Sequence, residues 1–468
     1  MLELTPILQK DSREPLYIQL AEFIKQEIMN KHILPNEKLP SKRKLSTHLQ
    51  LSLNTVQAAY DQLCAEGYVE SIPRKGLFVL NIDEEYSYQL GKEIPYVEKK
   101  KEQMKQVKMD FNSGKVDTKC FPYNNWRKLS MQSIYEDQNS WFTNGDPQGE
   151  LNLREQIAKH LYEARGVHCY PNQIVIGAGT QVLIGLLVLL LGRDKIFALE
   201  NPGYHRIRVV LQDMGISTIP IPIDENGMEA SHLNKSKANV AYVTPSHQFP
   251  YGMIMPITRR FELLNWAERN NGFIIEDDYD GEYRYKGKPI PALQGLDTNN
   301  RIIYLGTFSK SLIPSLRISY AVLPEPLSSV YQNHFTVYKQ TVSRMHQDTL
   351  YRFIKEGYWN SHLNKMRTLY RKKRQVLLQA IHRYLDRNVE VIGENAGLHI
   401  VLEVKTDWSE ARLIEKALDF GVKVYPMSPY YFQNNYPGNP KVIIGYGGLT
   451  ELEIEAGVEL LMKAWELV

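Results

Sequence analysis

Cysteine is scarce in this chain of 468 residues, which contains only Cys64, Cys120 and Cys169. An odd number of widely separated cysteines argues against both a disulfide framework and a zinc site, and it suits a reducing cytoplasm. A strong net charge is lacking too, because 56 basic and 53 acidic residues leave a formal charge of +3. Any nucleic-acid site must therefore depend on a local cluster of basic residues.

Long hydrophobic runs are also missing. The longest, from Val182 to Leu191, is shorter than the roughly 20 residues that a membrane-spanning helix needs, and it predicts a buried helix. The stretch from Leu2 to Pro15 is mixed and polar, which is unlike a signal peptide. We therefore expect a soluble cytoplasmic protein with no membrane partner, and its length suits about two or three domains.

The N-terminal region, residues 1–82, has the pattern of a small DNA-binding domain. Apolar residues recur at helical spacing in three short segments, 15–29, 42–49 and 54–66, and two β-like pieces follow at 68–72 and 77–80. Three helices and a hairpin make a winged helix-turn-helix. In such a domain the third helix enters the major groove, while the hairpin touches phosphates or the minor groove.

Basic and polar residues stand where this domain would meet double-stranded operator DNA. The predicted DNA contacts are Ser41, Lys42, Arg43, Asn54, Thr55, Arg74 and Lys75. Periodicity alone leaves open a small helical domain with solvated lysines. The amino-acid sequence of the runs 39–45 and 54–60, however, closely resembles that of the GntR regulator domain. Leu53 departs from that family, which often has arginine there, so the resemblance places more of the base readout on Asn54 or Thr55.

Residues 83–108 separate this head from the rest of the chain. They are charged, lack long apolar periodicity and contain Lys99-Lys100-Lys101. A solvated linker is the favoured interpretation, and contact of the basic run with DNA is the alternative.

The stretch from Gly306 to Lys310 carries the chemistry of the larger part, residues 109–468. A lysine preceded by Thr307 and Ser309 and followed by Arg317 suits a phosphorylated aldehyde cofactor. The amine can form a Schiff base with the aldehyde, and the hydroxyls and the guanidinium can hold the phosphate. A lone lysine is more often a solvated surface residue, so this stretch does not decide the function by itself.

Acidic residues follow a short apolar run, 272–275, which predicts a buried strand that ends in Glu276-Asp277-Asp278-Tyr279. Side chains at the carboxyl end of such a strand point into the crevice where α/β sheets bind ligands. Together the two motifs resemble those of fold-type I pyridoxal 5′-phosphate (PLP) enzymes, the aspartate aminotransferase group. The resemblance implies that Lys310 is the Schiff-base lysine, Asp277 the partner of the pyridinium nitrogen and Tyr279 the partner of the phenolate oxygen.

The same resemblance assigns a phosphate cradle to the glycine-rich turn at Gly179, Thr180 and Gln181. A turn of this kind frees backbone N–H groups at a helix start, where phosphate binds, although many such turns serve packing only. Tyr204 is a candidate to stack on the cofactor ring. Arg206 is a candidate to bind a substrate carboxylate.

Two departures from the aminotransferase pattern are visible. Phe249 stands in place of the asparagine that bonds the ring oxygen, so that bond is lost or passes to His247 or Gln248. The last strand, 441–446, lacks the arginine that binds the substrate α-carboxylate in many aminotransferases.

A GntR-like head joined to such a body resembles the MocR subfamily of bacterial regulators. The resemblance implies a multidomain fold: a winged helix-turn-helix, then an α/β fold-type I PLP-dependent aminotransferase-like domain with a mostly parallel sheet. A smaller C-terminal α+β domain would begin at about residue 330. It also implies a head-to-tail homodimer with PLP on Lys310. An amine or amino-acid effector, or PLP itself, would shift the dimer between two states.

Two other hypotheses remain open. One is a working aminotransferase with an accessory DNA-binding domain, against which the altered loop and the missing arginine count. The other is a regulator of vitamin B6 synthesis that senses PLP and needs no amine.

Overall fold

The computed structural model describes residues 4–6, 8–9, 12, 14–81, 106–136, 143–285, 290–433 and 438–467. The chain divides into two compact units, Met1–Gln103 and Met104–Val468. The predicted linker lies outside the described residues up to position 105, including its run of three lysines. Within the described part, no helix is long and apolar enough to cross a membrane.

The N-terminal unit is the predicted winged helix-turn-helix. Its elements are α1 (Leu16–Met29), α2 (Lys42–Leu49), α3 (Leu53–Ala65), β1 (Val69–Ile72) and β2 (Gly76–Val79). The strands pair antiparallel as a hairpin. Helix α3 begins one residue earlier than predicted because the Ser52 hydroxyl caps it, accepting from the Thr55 N–H at 3.0 Å. One face of each helix closes the core, with Ile24, Leu45 and Tyr60 fully buried.

The larger unit alternates helices and strands. Its first part contains β3 (Met109–Asp110), α4 (Tyr123–Glu136), α5 (Leu151–Arg165), β4 (Ile174–Gly177), α6 (Thr180–Leu191), β5 (Phe197–Asn201), α7 (His205–Asp213), β6 (Thr218–Asp224), β7 (Gly227–Met228), α8 (Ala230–Lys235), β8 (Val240–Val243), α9 (Ile257–Arg269), β9 (Phe273–Asp278), β10 (Ile302–Thr307) and β11 (Ser319–Val322). Its second part contains α10 (Glu325–Val330), a π-helical turn (Tyr331–Phe335), α11 (Arg344–Lys355), α12 (Tyr358–Tyr384), β12 (Val389–Ile392), β13 (His399–Val404), α13 (Glu410–Asp419), β14 (Val422–Lys423), β15 (Tyr425–Pro426), β16 (Lys441–Gly445) and α14 (Glu451–Ala464). Short 3₁₀ turns lie at Thr118–Cys120, Pro171–Gln173, Gln294–Leu296, Pro314–Leu316, Asp386–Asn388 and Ser428–Tyr430.

The large sheet has eight strands in the order β4-β11-β10-β9-β8-β5-β6-β7. Strands β10, β9, β8, β5 and β6 run parallel to their neighbours in this order. Strand β11 is antiparallel to both β10 and β4, so β4 points the same way as β10. The predicted mostly parallel sheet is therefore confirmed, with β11 and the edge strand β7 as antiparallel members. The carboxyl ends of β4, β5, β8, β9 and β10 consequently meet at one edge, where side chains from five separate segments can converge.

A second, four-stranded antiparallel sheet has the order β12-β13-β16-β15. Helices α12, α13 and α14 cover it and share a hydrophobic core with it, in which Leu377, Leu413 and Leu461 are buried. The short strand β3 pairs in parallel with β14, so the residues that follow the linker attach to this smaller part. This is the small C-terminal domain that the sequence predicts.

The small domain starts later than residue 330. Helix α11 packs against α4 and α5, and its Leu350 and Phe353 are buried in the same core as Leu153 and Ile157. Burial of these apolar side chains ties residues up to Lys355 to the large sheet. Helix α12 then crosses from one core to the other.

Candidate functional site

One cavity of about 410 Å³ opens at the edge where the parallel strands end. Eleven of the twelve predicted cofactor and substrate positions line it, namely Gly179, Thr180, Gln181, Tyr204, Arg206, Asp277, Tyr279, Thr307, Ser309, Lys310 and Arg317. His247 is the twelfth position, and it does not lie on the wall. The eleven lie at or just after the carboxyl ends of four strands, β4, β5, β9 and β10, so the sheet topology brings them together.

Lys310 follows β10 and is half-buried. Its Nζ atom donates a hydrogen bond to the backbone oxygen of Ser113. Burial lowers the pKa of Lys310, and the nearby positive charge of Arg206 adds to that effect, while Asp280 opposes it. A lowered pKa increases the fraction of the uncharged amine, which is the nucleophilic form.

Asp277 lies at the carboxyl end of β9 and is almost fully buried. The Tyr242 hydroxyl donates to its Oδ2 atom, and Oδ1 has no hydrogen-bond partner within the described part of the chain. Burial raises the pKa of Asp277 to about 7. An unpaired carboxylate oxygen on a cavity wall is a position for a ligand N–H donor. Asp278, by contrast, forms a buried ion pair with Arg165 at 2.7 Å.

An anion cradle lies at the start of α6. Gly179 is the N-cap residue there and has a φ of +102°, a conformation that favours glycine. A β-carbon at this position would lie 2.2 Å from a terminal nitrogen of Arg317, so a larger residue would displace the guanidinium. The Ser319 hydroxyl donates to Thr307 Oγ1 at 2.8 Å, and this bond holds the Thr307 hydroxyl beside the cradle. Helix N–H groups, hydroxyls and a guanidinium together make a site for phosphate.

Aromatic rings form part of the cavity wall. Phe249 contacts Tyr204, Tyr279 and Tyr430 edge-on, with ring centroids 5.3, 5.8 and 5.1 Å apart. Its phenyl ring offers no hydrogen bond to a ligand. The Gln248 side chain is turned away from the cavity and donates to the backbone oxygen of Pro202 at 3.0 Å. Neither residue at this loop position supplies the bond that asparagine makes in aminotransferases.

His247 is placed behind Tyr279 rather than in the cavity, which corrects its predicted direct contact with the cofactor. Its Nδ1 atom lies 2.9 Å from the Tyr279 hydroxyl and 2.9 Å from a carboxylate oxygen of Asp280. His399 stacks obliquely on the other side, with ring centroids 5.2 Å apart. His247, in the loop after β8, therefore contacts the two residues that follow β9 and does not line the cavity.

Arg206 lies at the first turn of α7 with an exposed side chain on the cavity wall. No ion pair joins it to a carboxylate in the described ranges. Its neighbour Arg208 is engaged differently, because it donates to the backbone oxygens of Pro429 and Tyr431. A guanidinium without a carboxylate partner is available to an anionic group of a ligand.

Several wall residues were not predicted. Asn112, Ser113 and Gly114 come from the segment after the linker, and Tyr425 and Tyr430 come from the small domain. The Asn112 amide donates to the Tyr425 hydroxyl at 2.8 Å, which joins the two groups. These residues carry no local motif, and only the packing of distant segments brings them to the site.

The predicted DNA contacts of the N-terminal unit are mostly exposed. Ser41 caps α2, and Arg43 lies on the outer surface of that helix. The side chains of Asn54, Arg74 and Lys75 are also exposed, at the start of α3 and at the hairpin turn. Lys42 and Thr55 are half-buried: Lys42 Nζ donates to Gln57, and the Thr55 hydroxyl lies 2.7 Å from that of Ser52.

Two protein families match separate parts of the chain. Residues 16–79 match the family described as bacterial regulatory proteins of the gntR family, and residues 106–459 match aminotransferase class I and II. The matches correspond to the winged helix-turn-helix and to the two-sheet unit. A gntR-family helix-turn-helix domain binds DNA, and the class I and II aminotransferase fold is one that generally uses PLP.

Transcriptional regulators resemble this chain over nearly all of its length. An uncharacterized HTH-type transcriptional regulator of Bacillus subtilis, YhdI, is 47% identical over 99% of this chain and 98% of its own. The probable rhizopine catabolism regulatory protein MocR of Rhizobium meliloti is 31% identical, covering 98% and 95% of the two chains. The pyridoxine biosynthesis transcriptional regulator PdxR of Corynebacterium glutamicum is 32% identical, covering 92% of each.

Solved aminotransferases share the fold of the larger unit. The multiple substrate aminotransferase of Thermococcus profundus has a TM-score of 0.70 at 22% identity and covers 78% of this chain and 92% of its own. The kynurenine aminotransferase of Pyrococcus horikoshii has a TM-score of 0.68 at 25% identity, with coverage of 78% and 93%. A DNA-binding head on an aminotransferase fold, with regulators as full-length relatives, leads to one conclusion. The chain belongs to the MocR subfamily of GntR-type transcriptional regulators.

Proposed function

We propose that the larger unit of this transcriptional regulator holds PLP at Lys310 and uses it to sense an amine or an amino acid. One observation carries the proposal. The amine of Lys310, the unpaired oxygen of Asp277 and the cradle of Gly179 and Arg317 all face the same cavity of about 410 Å³. An aldehyde, a ring nitrogen and a phosphate on one small molecule would meet these three groups.

Each residue has a distinct part in holding the cofactor. The cradle would bind the phosphate, and the Asp277 carboxylate would accept the ring N–H. Tyr204 would pack on the ring. PLP bound in this way supplies an aldehyde that reacts reversibly with amines and a ring that withdraws electrons from them.

Tyr279 would donate its hydroxyl hydrogen to the ring oxygen, and His247 with Asp280 would hold it in place. When the Nδ1 atom of His247 carries the imidazole hydrogen, it donates to the Asp280 carboxylate. The Tyr279 oxygen then accepts from the same N–H at 2.9 Å. Its own hydrogen is thereby left for the ligand.

The effector would be a small amine that carries a carboxylate. Its amino group would reach Lys310, and its carboxylate would meet the guanidinium of Arg206, which has no carboxylate partner among the described residues. Tyr425 and Tyr430 close the same side of the cavity. Full transamination is the less supported alternative, because Phe249 cannot bond the ring oxygen and β16 contains no arginine.

PLP sensing without an amine is the second candidate function. The relative PdxR, whose name assigns it to pyridoxine biosynthesis, favours this possibility. In both cases we propose a head-to-tail homodimer whose two heads bind paired half-sites of operator DNA. In each chain the head is residues 1–82, the linker is residues 83–108 and the body is residues 109–468.

Borohydride reduction tests the cofactor site. Reduction of the purified protein in the presence of PLP should fix a pyridoxyl group on Lys310, as read by peptide mass spectrometry. Lys115, which is ion-paired with Asp110 at 2.8 Å, serves as an internal control. Recovery of the label elsewhere, or nowhere, would show that this cavity does not hold the cofactor.

A second measurement separates the three functions. Transcription from the operator is followed with PLP alone, with PLP and an amino acid, and with an assay for keto acid. A response that requires the amino acid without keto acid supports the effector sensor. A response to PLP alone supports the second candidate, and steady keto-acid release supports an aminotransferase.

A further inference from the structure

The recognition helix of the head presents an apolar side chain to solvent at its first residue. Leu53 is 46% exposed and lies outside the hydrophobic core built from the buried face of α3. That face contains Val56, Ala59, Tyr60 and Leu63. Leu53 and Asn54 therefore lie at the exposed N-terminal end of the helix, the part of a recognition helix that contacts base edges.

The polar residues farther along the outward face are engaged with one another. The Gln57 side chain accepts a hydrogen bond from Lys42 Nζ through its oxygen and donates to Asp61 Oδ1 at 2.6 Å through its nitrogen. Each end of this amide therefore has one partner within the protein. The Thr55 hydroxyl is paired with Ser52 at 2.7 Å. Leu53 and Asn54, by contrast, are the exposed residues of the first turn, and no side-chain hydrogen bond engages either of them among the described residues.

We propose that Leu53 determines operator specificity by packing against the C5 methyl group of a thymine in the major groove. A leucine side chain can neither donate nor accept a hydrogen bond, so it gains free energy at a base edge only where that edge is apolar. Among the four bases of unmodified DNA, thymine alone carries a methyl group in the major groove. The contact concerns the head alone, and it holds whether or not the body binds PLP.

Removal of single methyl groups from the DNA tests this contact. Duplexes selected by the full-length protein from a randomised pool are resynthesised with one dT replaced by dU at a time, which removes only the methyl group. At one position in each half-site we expect the replacement to weaken binding about fourfold, the factor expected for burial of one methyl group. Affinity is measured by fluorescence anisotropy at one fixed salt concentration, because phosphate contacts make it salt-dependent.

Matched variants identify the residue responsible. Leu53→Ala should bind the dT and dU duplexes equally, and Asn54→Ala should keep the fourfold difference while relaxing preference at another position. Leu53→Arg should shift the selected base at the same position from thymine to guanine, since arginine pairs with two acceptors of guanine. Leu53 is exposed and not in the core, so circular dichroism should show that these variants fold.

Three results would overturn the proposal. The first is that methyl removal at every thymine leaves binding by the wild-type protein unchanged. The second is that Leu53→Ala retains the full methyl effect, and the third is that Leu53→Arg still selects thymine. Each of them would mean that Leu53 faces solvent or a phosphate in the complex.

Discussion

At the level of single residues, burial raises the pKa of several carboxyl groups around the cavity. Glu200, Glu276 and Asp277 lie at strand ends, and burial raises the pKa of each to about 7. Glu276 is satisfied by the backbone N–H groups of Leu293 and Gln294 at 2.8 and 2.9 Å, whereas one oxygen of Asp277 is not satisfied. Glu200 also has one oxygen without a partner in the described part of the chain, but of the two residues only Asp277 lines the cavity, so Asp277 is the one that a ligand there can stabilise.

Asp277→Asn should change how stability depends on pH. A carboxyl group whose folded pKa is about 7, against an ordinary value of about 3.9, contributes stability at low pH. That contribution is lost as pH rises from about 4 to about 7, because the unfolded chain releases the proton in this range while the folded protein still holds it. We expect the Tm of the cofactor-free protein to fall less across this range in Asp277→Asn than in the wild type.

Thermal unfolding followed by fluorescence at several pH values measures this difference. Arg208→Lys, a change beside the cavity that removes no carboxyl group, is the control and should keep the wild-type slope. Equal slopes for Asp277→Asn and the wild type would mean that Asp277 does not hold a raised pKa.

Arg206→Ala should discriminate between ligands with and without a carboxylate. A charge-assisted hydrogen bond contributes about 1.5–3 kcal/mol, so we expect an amino acid to bind about 10–100-fold more weakly to the variant. The methyl ester of the same amino acid should bind the wild type and the variant alike. Changes in the absorption of bound PLP report the binding, and an equal loss for acid and ester would remove Arg206 from the carboxylate site.

At the level of elements, one segment links the cavity with the chain that leads to the head. Residues 109–114 follow the linker, pair with β14 through β3, and then pass Lys310. The Phe111 oxygen accepts from the Gly445 N–H at 2.8 Å, and the Ser113 oxygen accepts from Lys310 Nζ. The segment is therefore held by both the small domain and the candidate cofactor lysine.

Attachment of PLP to Lys310 should loosen this segment. The free amine of Lys310 donates to Ser113, and attachment of Nζ to the cofactor takes that donor away. We expect amide hydrogen exchange in residues 112–116 to rise about fivefold on addition of PLP, which is the order expected for one lost hydrogen bond.

Lys310→Ala should show the faster exchange without PLP and no further change with it. Peptides from β12 and β13 are the internal control and should not respond. Exchange that is identical with and without PLP in the wild-type protein would mean that the lysine does not restrain the segment.

Helix α2 of the head allows a test of how the head binds DNA. Arg43 is exposed at its first turn, and such a residue is expected to contact a phosphate. Arg43→Ala should weaken binding to all duplexes and reduce the slope of log K against log salt by about one. Asn54→Ala should instead cost about 1–3 kcal/mol on the selected site only. An Arg43→Ala protein with wild-type affinity and slope would contradict this docking of the head.

For the molecule as a whole, the proposed sensing site and the predicted DNA contacts lie in different units. The predicted DNA contacts belong to the head, whereas every residue that lines the cavity belongs to the body. Lys310→Ala removes the attachment point of PLP without changing any basic residue of the head. We therefore expect this variant to fold, to dimerise, and to bind operator DNA within a few-fold of wild-type affinity.

The same variant should no longer respond to the ligand. In wild-type protein we expect PLP, or PLP with an amino acid, to change footprint and transcription through a coupling of about 1–3 kcal/mol. In Lys310→Ala this coupling should vanish. Footprinting and in vitro transcription with both proteins provide the measurement, and a full response by the variant would rule out signalling through Lys310.

The sequence alone determined the two-part organisation of this protein. Helical and strand periodicity predicted the winged helix-turn-helix, because burial of one face imposes that spacing on local segments. The mostly parallel sheet was implied by the resemblance of the motifs to those of fold-type I PLP enzymes. Motifs at strand ends predicted eleven cavity positions, since the carboxyl ends of parallel strands meet at one edge. These features depend on neighbours within a few residues, so a linear pattern can carry them.

Only the tertiary structure decided the depth of each side chain and the partners that come from distant segments. His247 lies in the predicted loop, but it contacts the Tyr279 hydroxyl and does not line the cavity. Ser113 and Tyr430 reach the wall from segments far from Lys310 in the chain, and α11 joins the large sheet although it follows residue 330. Such contacts arise when apolar surfaces of separate elements are buried together, and no local pattern records which surfaces will meet.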